Sequence, residues 1–272
     1  MTKTERPLHI YLRKETLPTA FCPGCGLGIV SGCFLRAVQE LGFEDLRNFV
    51  FCCGIGCTAW IPSPYYKADT LHVTHGRAIP VALGVKVFRP ELRIVVFGGD
   101  GDLASIGLNH LIQAARRNLE ITVIMANNMV YGMTGGQLAP TTPYGARTTT
   151  TPYGNIECPI DIAELLTSAG ASYVARWTTA HPIQLKESIM KAIKTDGFAF
   201  IEAVSQCPTN YGRRVGFESP VEMLKWFKDN SVEKERKTKE GKIVVGEFVE
   251  RQRPGFAGMM HDRKRSSVGS ET

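Results

Sequence analysis

The sequence predicts an α/β fold: a mostly parallel sheet with helices on both faces, followed by a C-terminal extension. Three observations carry this. A strand, a helix and a second strand follow one another in "LRIVVFGGDGD", "IGLNHLIQAARRN" and "ITVIMANN", which is the βαβ unit of a parallel sheet. The runs "IVVF" and "ITVIM" are apolar without alternation, as strands covered on both faces are. The chain has 272 residues, 43% hydrophobic and 21% charged, enough for one large core.

Residues 1–20 read as an N-terminal arm, 21–210 as the α/β domain and 211–272 as the extension. From Gly24 to Leu41 the spacing of Ile29, Cys33, Val38 and Leu41 is helical. "NFVFCC" is a short apolar run that ends in glycines, a buried strand. "GRAIPVALGVKVF" reads as a helix of small residues, with Pro80 near its start where proline is tolerated. After the βαβ unit comes a long loop, Met133 to Pro159, in which "TTPYG" occurs twice, at Thr141 and Thr150. A loop of that length is usually functional. Helix ("DIAELLTSAG"), strand ("SYVARW"), helix ("HPIQLKESIMKAIK") and strand ("FAFIEAV") complete the domain.

The net charge of +6 gathers partly near the C-terminus, in "KDNSVEKERKTKEGK" and "HDRKR". These runs read as a solvated tail or a docking surface for an acidic partner. No aromatic pattern accompanies them, so nucleic acid is not expected. No apolar run approaches membrane-spanning length, and "MTKTERPLHIYLRK" lacks the apolar core of a signal peptide. The expectation is a cytoplasmic protein without a membrane role, in which eight cysteines serve as metal ligands or buried thiols rather than disulfides.

"GGDGD", Gly98 to Asp102, lies at the carboxyl end of a strand and before a helix, where parallel sheets bind ligands. Gly99 and Gly101 allow close approach of a phosphate, and the helix N-terminus favours its charge. Aspartate there would repel phosphate unless a divalent cation intervened. Mg²⁺ takes oxygen ligands from carboxylates and phosphates together. Asp100, the amide oxygen of Asn128 at the next strand end, and the carbonyl of Val130 would then clamp Mg²⁺ onto a diphosphate. This is the spacing pattern of thiamine diphosphate enzymes. A turn-forming Gly-Asp cluster beside an Asn-rich loop is the plain alternative.

"FCPGCG" places Cys22 and Cys25 three positions apart, "FCCGIGCTAW" adds three cysteines in another strand-end glycine loop, and Cys207 follows a late strand. Cys22, Cys25, one loop cysteine and Cys207 could converge on a [4Fe–4S] cluster or on zinc, and spacing does not separate these. A domain this large needs no zinc staple, which favours the redox use.

"CPGCG", "GIGC", "HGRA", "GGDGD", "NHLIQAARRN", "NNMVYGMTGGQLAPTTP", "TTPYGN" and "SQCPTNYGR" occur in this order between Phe21 and Arg214. The chain thereby resembles the β subunit of 2-oxoacid:ferredoxin oxidoreductases, most closely the 2-oxoglutarate type. The resemblance implies a thiamine-diphosphate-binding fold, with Cys22, Cys25, Cys57 and Cys207 on a [4Fe–4S] cluster. It implies that Ile55, Gly56, Cys57, Thr58, His75, Gly101, Asp102, Gly132 and Met133 line the thiamine diphosphate pocket, with Mg²⁺ on Asp100, Asn128 and Val130. Cys33, Cys52, Cys53 and Cys158 fall outside that ligand pattern.

The implied reaction is coenzyme A-dependent oxidative decarboxylation of a 2-oxoacid, 2-oxoglutarate foremost, with electrons passing to ferredoxin, or its reverse. The alternatives are the same chemistry on pyruvate or a branched-chain acid, or a non-redox thiamine diphosphate enzyme. His75 is the catalytic candidate; His72, His110 and His181 read as structural. Arg147 and Arg77 are candidates for the distal carboxylate of 2-oxoglutarate, and Gly135 stands where some relatives carry lysine. The resemblance implies a glutamate beside the aminopyrimidine ring from a second α/β domain, for which 272 residues with one diphosphate-binding unit are expected to leave no room. An α subunit with a pyrimidine-binding domain is therefore expected, in an αβ or (αβ)2 assembly.

Overall fold

The computed structural model describes residues 7–234 and 241–268. The first six residues of the arm, the centre of the first charged run (235–240) and the last four residues lie outside them. One eight-stranded sheet organises the chain. Its strands are β1 (Phe49–Cys53), β2 (Asp69–His72), β3 (Arg93–Gly99), β4 (Thr122–Asn127), β7 (Tyr173–Thr178), β8 (Ala199–Val204), β9 (Ser231–Glu233) and β10 (Ile243–Glu250). They lie in the order β2-β1-β3-β4-β8-β7-β10-β9. Only the β7–β10 pairing is antiparallel. A separate two-stranded ribbon pairs β5 (Val130–Tyr131) with β6 (Gln137–Leu138).

The central strands explain themselves by their side chains. Along β3, Val95 and Phe97 enter one core while Ile94 and Val96 enter the other, the two-residue period of a strand covered on both faces. On the first face lie α1 (Leu27–Glu40) and α5 (Pro182–Lys194), where Phe34 meets Phe51 and Phe97 edge-on and stacks on Tyr66. On the other lie α2 (Ala78–Phe88), α3 (Leu108–Arg117) and α4 (Ile162–Ala169), contributing Ala82, Leu111 and Leu166. Asp161 caps α4 by accepting from Glu164 N at 3.0 Å.

The polar C-terminal segment is built into the sheet. It forms α6 (Pro220–Asp229), β9, β10 and α7 (Phe256–Val268). Ser219 caps α6 by accepting from Glu222 N at 3.1 Å, and the Glu222 carboxylate accepts from Glu218 N at 2.8 Å. At the other end of the chain, Tyr11 is 2% exposed, and backbone hydrogen bonds join the arm to Tyr65 and Lys67.

Because β1, β3, β4 and β8 are parallel neighbours, their carboxyl ends open on one edge. Gly54–Thr58, Gly99–Asp102, Asn127–Val130 and Ser205–Cys207 follow those ends.

Candidate active site

At that edge one cleft is lined by every residue the sequence proposes for the cofactor: Ile55, Gly56, Cys57, Thr58, His75, Gly99, Asp100, Gly101, Asp102, Asn128, Val130, Gly132 and Met133. Tyr131 and Thr134 also line it and have no signature in the sequence. The walls approach too closely for side chains at two glycines. A Cβ at Gly101 would strike the Tyr131 ring, and one at Gly54 would strike the Asp102 carboxylate. Beyond Gly101 the chain makes a single π turn, Asp102–Ile106, before α3 begins, an irregularity common at functional sites.

Two buried aspartates face different surroundings. Asp102 is 2% exposed. Its Oδ1 accepts from Ile55 N (3.2 Å), Gly76 N (2.7 Å) and His75 Nδ1 (2.5 Å), while Oδ2 has no partner. With its Nδ1 proton committed to Asp102, a neutral His75 presents Nε2 as an acceptor. Its side chain remains 35% exposed and packs edge-on to Tyr131.

Asp100 is 1% exposed, and burial pushes its carboxyl up to about 7 despite hydrogen bonds from Thr141 and from backbone near Asn128 and Gly101. A buried carboxylate without a cation is costly, and a divalent ion beside it would remove that cost. Asn128 Oδ1 accepts from Val130 N at 3.2 Å, and Asn127 Oδ1 from Met129 N at 3.0 Å. These turns hold Met129 at a φ of 65°. The donor set of carboxylate, amide and carbonyl oxygens on one cleft fits a hard, oxygen-seeking cation.

Thr141 is the contact that sequence reasoning missed. Its hydroxyl lies 2.6 Å from Asp100 Oδ2 and 3.0 Å from Asn127 Oδ1. From Asn127 a chain of hydrogen bonds continues to buried Glu202 (2.8 Å), from Glu202 to buried Arg176 (2.7 Å) and from Arg176 to the exposed Asp161 (2.5 Å). The repeated "TTPYG" marked Thr141's position without indicating its partner. The second copy folds against the first: Gly145 N and Asn155 O are 2.7 Å apart, and Asn155 Nδ2 donates to Thr142 O at 2.8 Å.

Beside the cleft lies a cavity of about 340 Å³ lined by Cys22, Cys25, Cys57 and Cys207 together. Cys57, Asn128, Gly132 and Met133 line both spaces. A Cβ at Gly132 would lie 3.1 Å from Asn128 Nδ2 and 3.8 Å from the sulfurs of both Cys57 and Cys207. Cys25 N donates to Cys22 O (3.0 Å), and Gly26 N donates to Gln206 O (3.0 Å), which ties the CPGC turn to the strand end before Cys207. Burial pushes the thiols of Cys25 and Cys57 up to about 12 and about 11, and that of Cys207 upward, with the nearby sulfurs raising them further. A cationic centre is what would hold such thiols ionised. Among the described residues, no three His, Cys, Asp or Glu side chains close on one point as a single metal ion requires. The four sulfurs border a space instead.

The remaining cysteines lie elsewhere. Cys52 and Cys53 are fully buried in β1, Cys33 is buried in α1 with its thiol 3.4 Å from Pro182 O, and Cys158 is exposed. Arg147 is exposed and lines a separate groove with Arg213 and Arg214. Arg77 donates to Ile106 O at 3.2 Å and does not line the cleft. His181 is 2.8 Å from Thr178 Oγ1 at the start of α5.

Residues 54–203 match the family described as thiamine pyrophosphate enzyme, C-terminal TPP binding domain. The chain is 54% identical to the 2-oxoglutarate synthase subunit KorB of Methanothermobacter thermautotrophicus over 93% of this chain and 90% of that protein. It is 44% identical to a 2-oxoacid:ferredoxin oxidoreductase subunit beta of Saccharolobus solfataricus, over 70% of this chain and 62% of that one. Among solved structures, 2-oxoglutarate:ferredoxin oxidoreductase from Magnetococcus marinus, with 2-oxoglutarate, coenzyme A and succinyl-CoA bound, superposes with a TM-score of 0.84. That match has 31% identity and covers 97% of this chain and 92% of the other.

Proposed function

The chain belongs to the thiamine-diphosphate-dependent 2-oxoacid:ferredoxin oxidoreductases as a β subunit, and from that premise we propose that it oxidatively decarboxylates 2-oxoglutarate with coenzyme A. One 2-oxoglutarate and one coenzyme A become succinyl-CoA, CO₂ and a proton, and two electrons leave singly to ferredoxin; the reverse carboxylation uses the same site. The observation that carries this reading is the placement of the glycine–aspartate cleft beside the four-thiol cavity, with Gly132 lining both.

Thiamine diphosphate supplies carbanion chemistry at the keto carbon. Gly99 and Gly101 leave room for the diphosphate against the backbone. Asp100, Asn128 and the Val130 carbonyl hold Mg²⁺, and Thr141 fixes the Asp100 carboxylate. His75, oriented by Asp102, offers Nε2 to cofactor or substrate as a hydrogen-bond partner. Cys22, Cys25, Cys57 and Cys207 hold the [4Fe–4S] cluster.

The cleft has no glutamate among its lining residues, and Ile55 and Met133 on it are apolar and 44% and 48% exposed. An α subunit bringing the pyrimidine-binding domain and its glutamate, in an αβ or (αβ)2 assembly, would complete the site and cover that rim. All eight cysteines are free, in keeping with a reducing cytoplasm, and no described helix is long and apolar enough to cross a membrane.

The test is to co-produce the chain with its α partner anaerobically and assay 2-oxoacid-dependent viologen reduction across a panel of acids. Reduction with 2-oxoglutarate exceeding that with pyruvate and branched-chain acids is expected. CO₂ release without viologen reduction would restore a non-redox thiamine enzyme.

A further inference from the structure

A groove of about 660 Å³ runs beside the cysteine cavity, lined by Arg147, Arg213, Arg214, Thr148, Thr209 and Asn210. Asn210 also lines the cysteine cavity, and its side chain donates to Gly132 O at 2.6 Å. The groove wall is folded back onto a cluster-side cysteine by two backbone bonds, Tyr211 N and Gly212 N both donating to Cys207 O (3.2 and 2.9 Å). Arg213 and Arg214 follow directly on these two residues, and Arg213 N donates to Pro208 O at 3.2 Å. All three arginines are exposed, and none pairs with a carboxylate among the described residues. Arg214 reaches only the Gly135 carbonyl, at 3.3 Å. Cys22, on the same cavity, is exposed, so the thiol cavity lies close to solvent.

We propose that this arginine groove is the docking surface for an acidic one-electron carrier protein, seated where the distance to the cysteine-held centre is short. The inference rests on the reading of Cys22, Cys25, Cys57 and Cys207 as cluster ligands. Charge complementarity selects the occupant. Three guanidinium groups without a carboxylate partner among the described residues exceed what one distal carboxylate needs, and the groove adjoins the thiol cavity rather than lining the diphosphate cleft. Two-electron oxidation of one 2-oxoacid reduces two carriers, so the surface must release each reduced carrier quickly. Exposed charges suit that, since they accelerate encounter more than they prolong residence.

The test uses the anaerobic αβ holoenzyme, a ferredoxin of net negative charge as the probe, and Arg213→Glu, whose exposed side chain makes no hydrogen bond among the described residues. At low salt the variant is expected to raise both the ferredoxin KM and its calorimetric Kd about tenfold. Methyl viologen reduction should stay at the wild-type rate, because that acceptor needs no docking. Salt near 0.5 M should close the gap as screening shortens to a few ångströms, and Arg213→Lys should retain most of the affinity. Unchanged ferredoxin affinity in Arg213→Glu would overturn the proposal. So would a raised KM for coenzyme A with normal ferredoxin kinetics, which would assign the groove to the phosphates of that substrate. If the wild-type holoenzyme reduced no viologen, the proposed function itself would fall, and the docking surface with it.

Discussion

Asp100 and Thr141 show how much of the site depends on a single hydroxyl. Thr141 gives Asp100 its one side-chain hydrogen bond, and a bond to a charged acceptor contributes roughly 1.5–3 kcal/mol. Thr141→Val should therefore weaken Mg²⁺-dependent thiamine diphosphate binding at least tenfold by calorimetry, and Thr141→Ser should keep it near wild type. The Asp100 carboxyl also predicts a pH dependence. Burial raises it to about 7 from 3.8, so the metal-free folded chain holds this proton more tightly than the unfolded chain does. Its contribution to stability is full below 3.8 and is lost as pH rises through about 7. Chelator-treated protein should accordingly melt lower at pH 8 than at pH 6, and Asp100→Asn should flatten that difference. Mg²⁺ with thiamine diphosphate should raise Tm more at pH 8, where the carboxylate is free to bind. Asp100 and Asn128 were legible in the sequence because one strand–helix–strand unit joins them. Thr141 was not, because a loop brings it to Asp100 from 41 residues away, and a hydroxyl leaves no periodic trace.

At the scale of elements, β3 and β4 announced themselves by unbroken apolar runs, as strands buried on both faces do. β2 carries "DTLH" with no buried position, so no pattern could have revealed it. β10 has no regular burial alternation and lies among charged segments, which is why the C-terminal region reads as an extension although it pairs with β7. The tie that holds this region to the site is Arg176 on β7. It is 7% exposed, hydrogen-bonds Glu202 and Asp161, and sits under the Phe248 ring of β10. Burial disfavours the charge of Arg176, but its two carboxylate partners more than restore it. Arg176→Ala would leave Glu202 buried without its cation. A loss of about 3–5 kcal/mol in urea unfolding is expected, together with weaker thiamine diphosphate binding, since Glu202 also positions Asn127. An unchanged denaturation midpoint would show that the network carries no such load.

For the whole molecule, the proposed reading makes the chain one half of a reaction chamber. On that reading it would anchor the diphosphate and the metal and contribute four thiols, while no glutamate lines the cleft. The isolated chain should bind thiamine diphosphate with Mg²⁺ and yet release no CO₂ from 2-oxoglutarate, with activity appearing only when the α subunit is added. Turnover by the isolated chain would refute the division of labour. The central claim, that the adjoining cleft and thiol cavity work as one electron path, has a direct test in electron paramagnetic resonance of the anaerobic holoenzyme. With 2-oxoglutarate and coenzyme A but no acceptor, the spectrum should gain the signal of a reduced [4Fe–4S] centre, and Cys207→Ser should lose it together with the iron. A wild-type holoenzyme that contains zinc without acid-labile sulfide, and stays silent on adding substrate, would contradict the account.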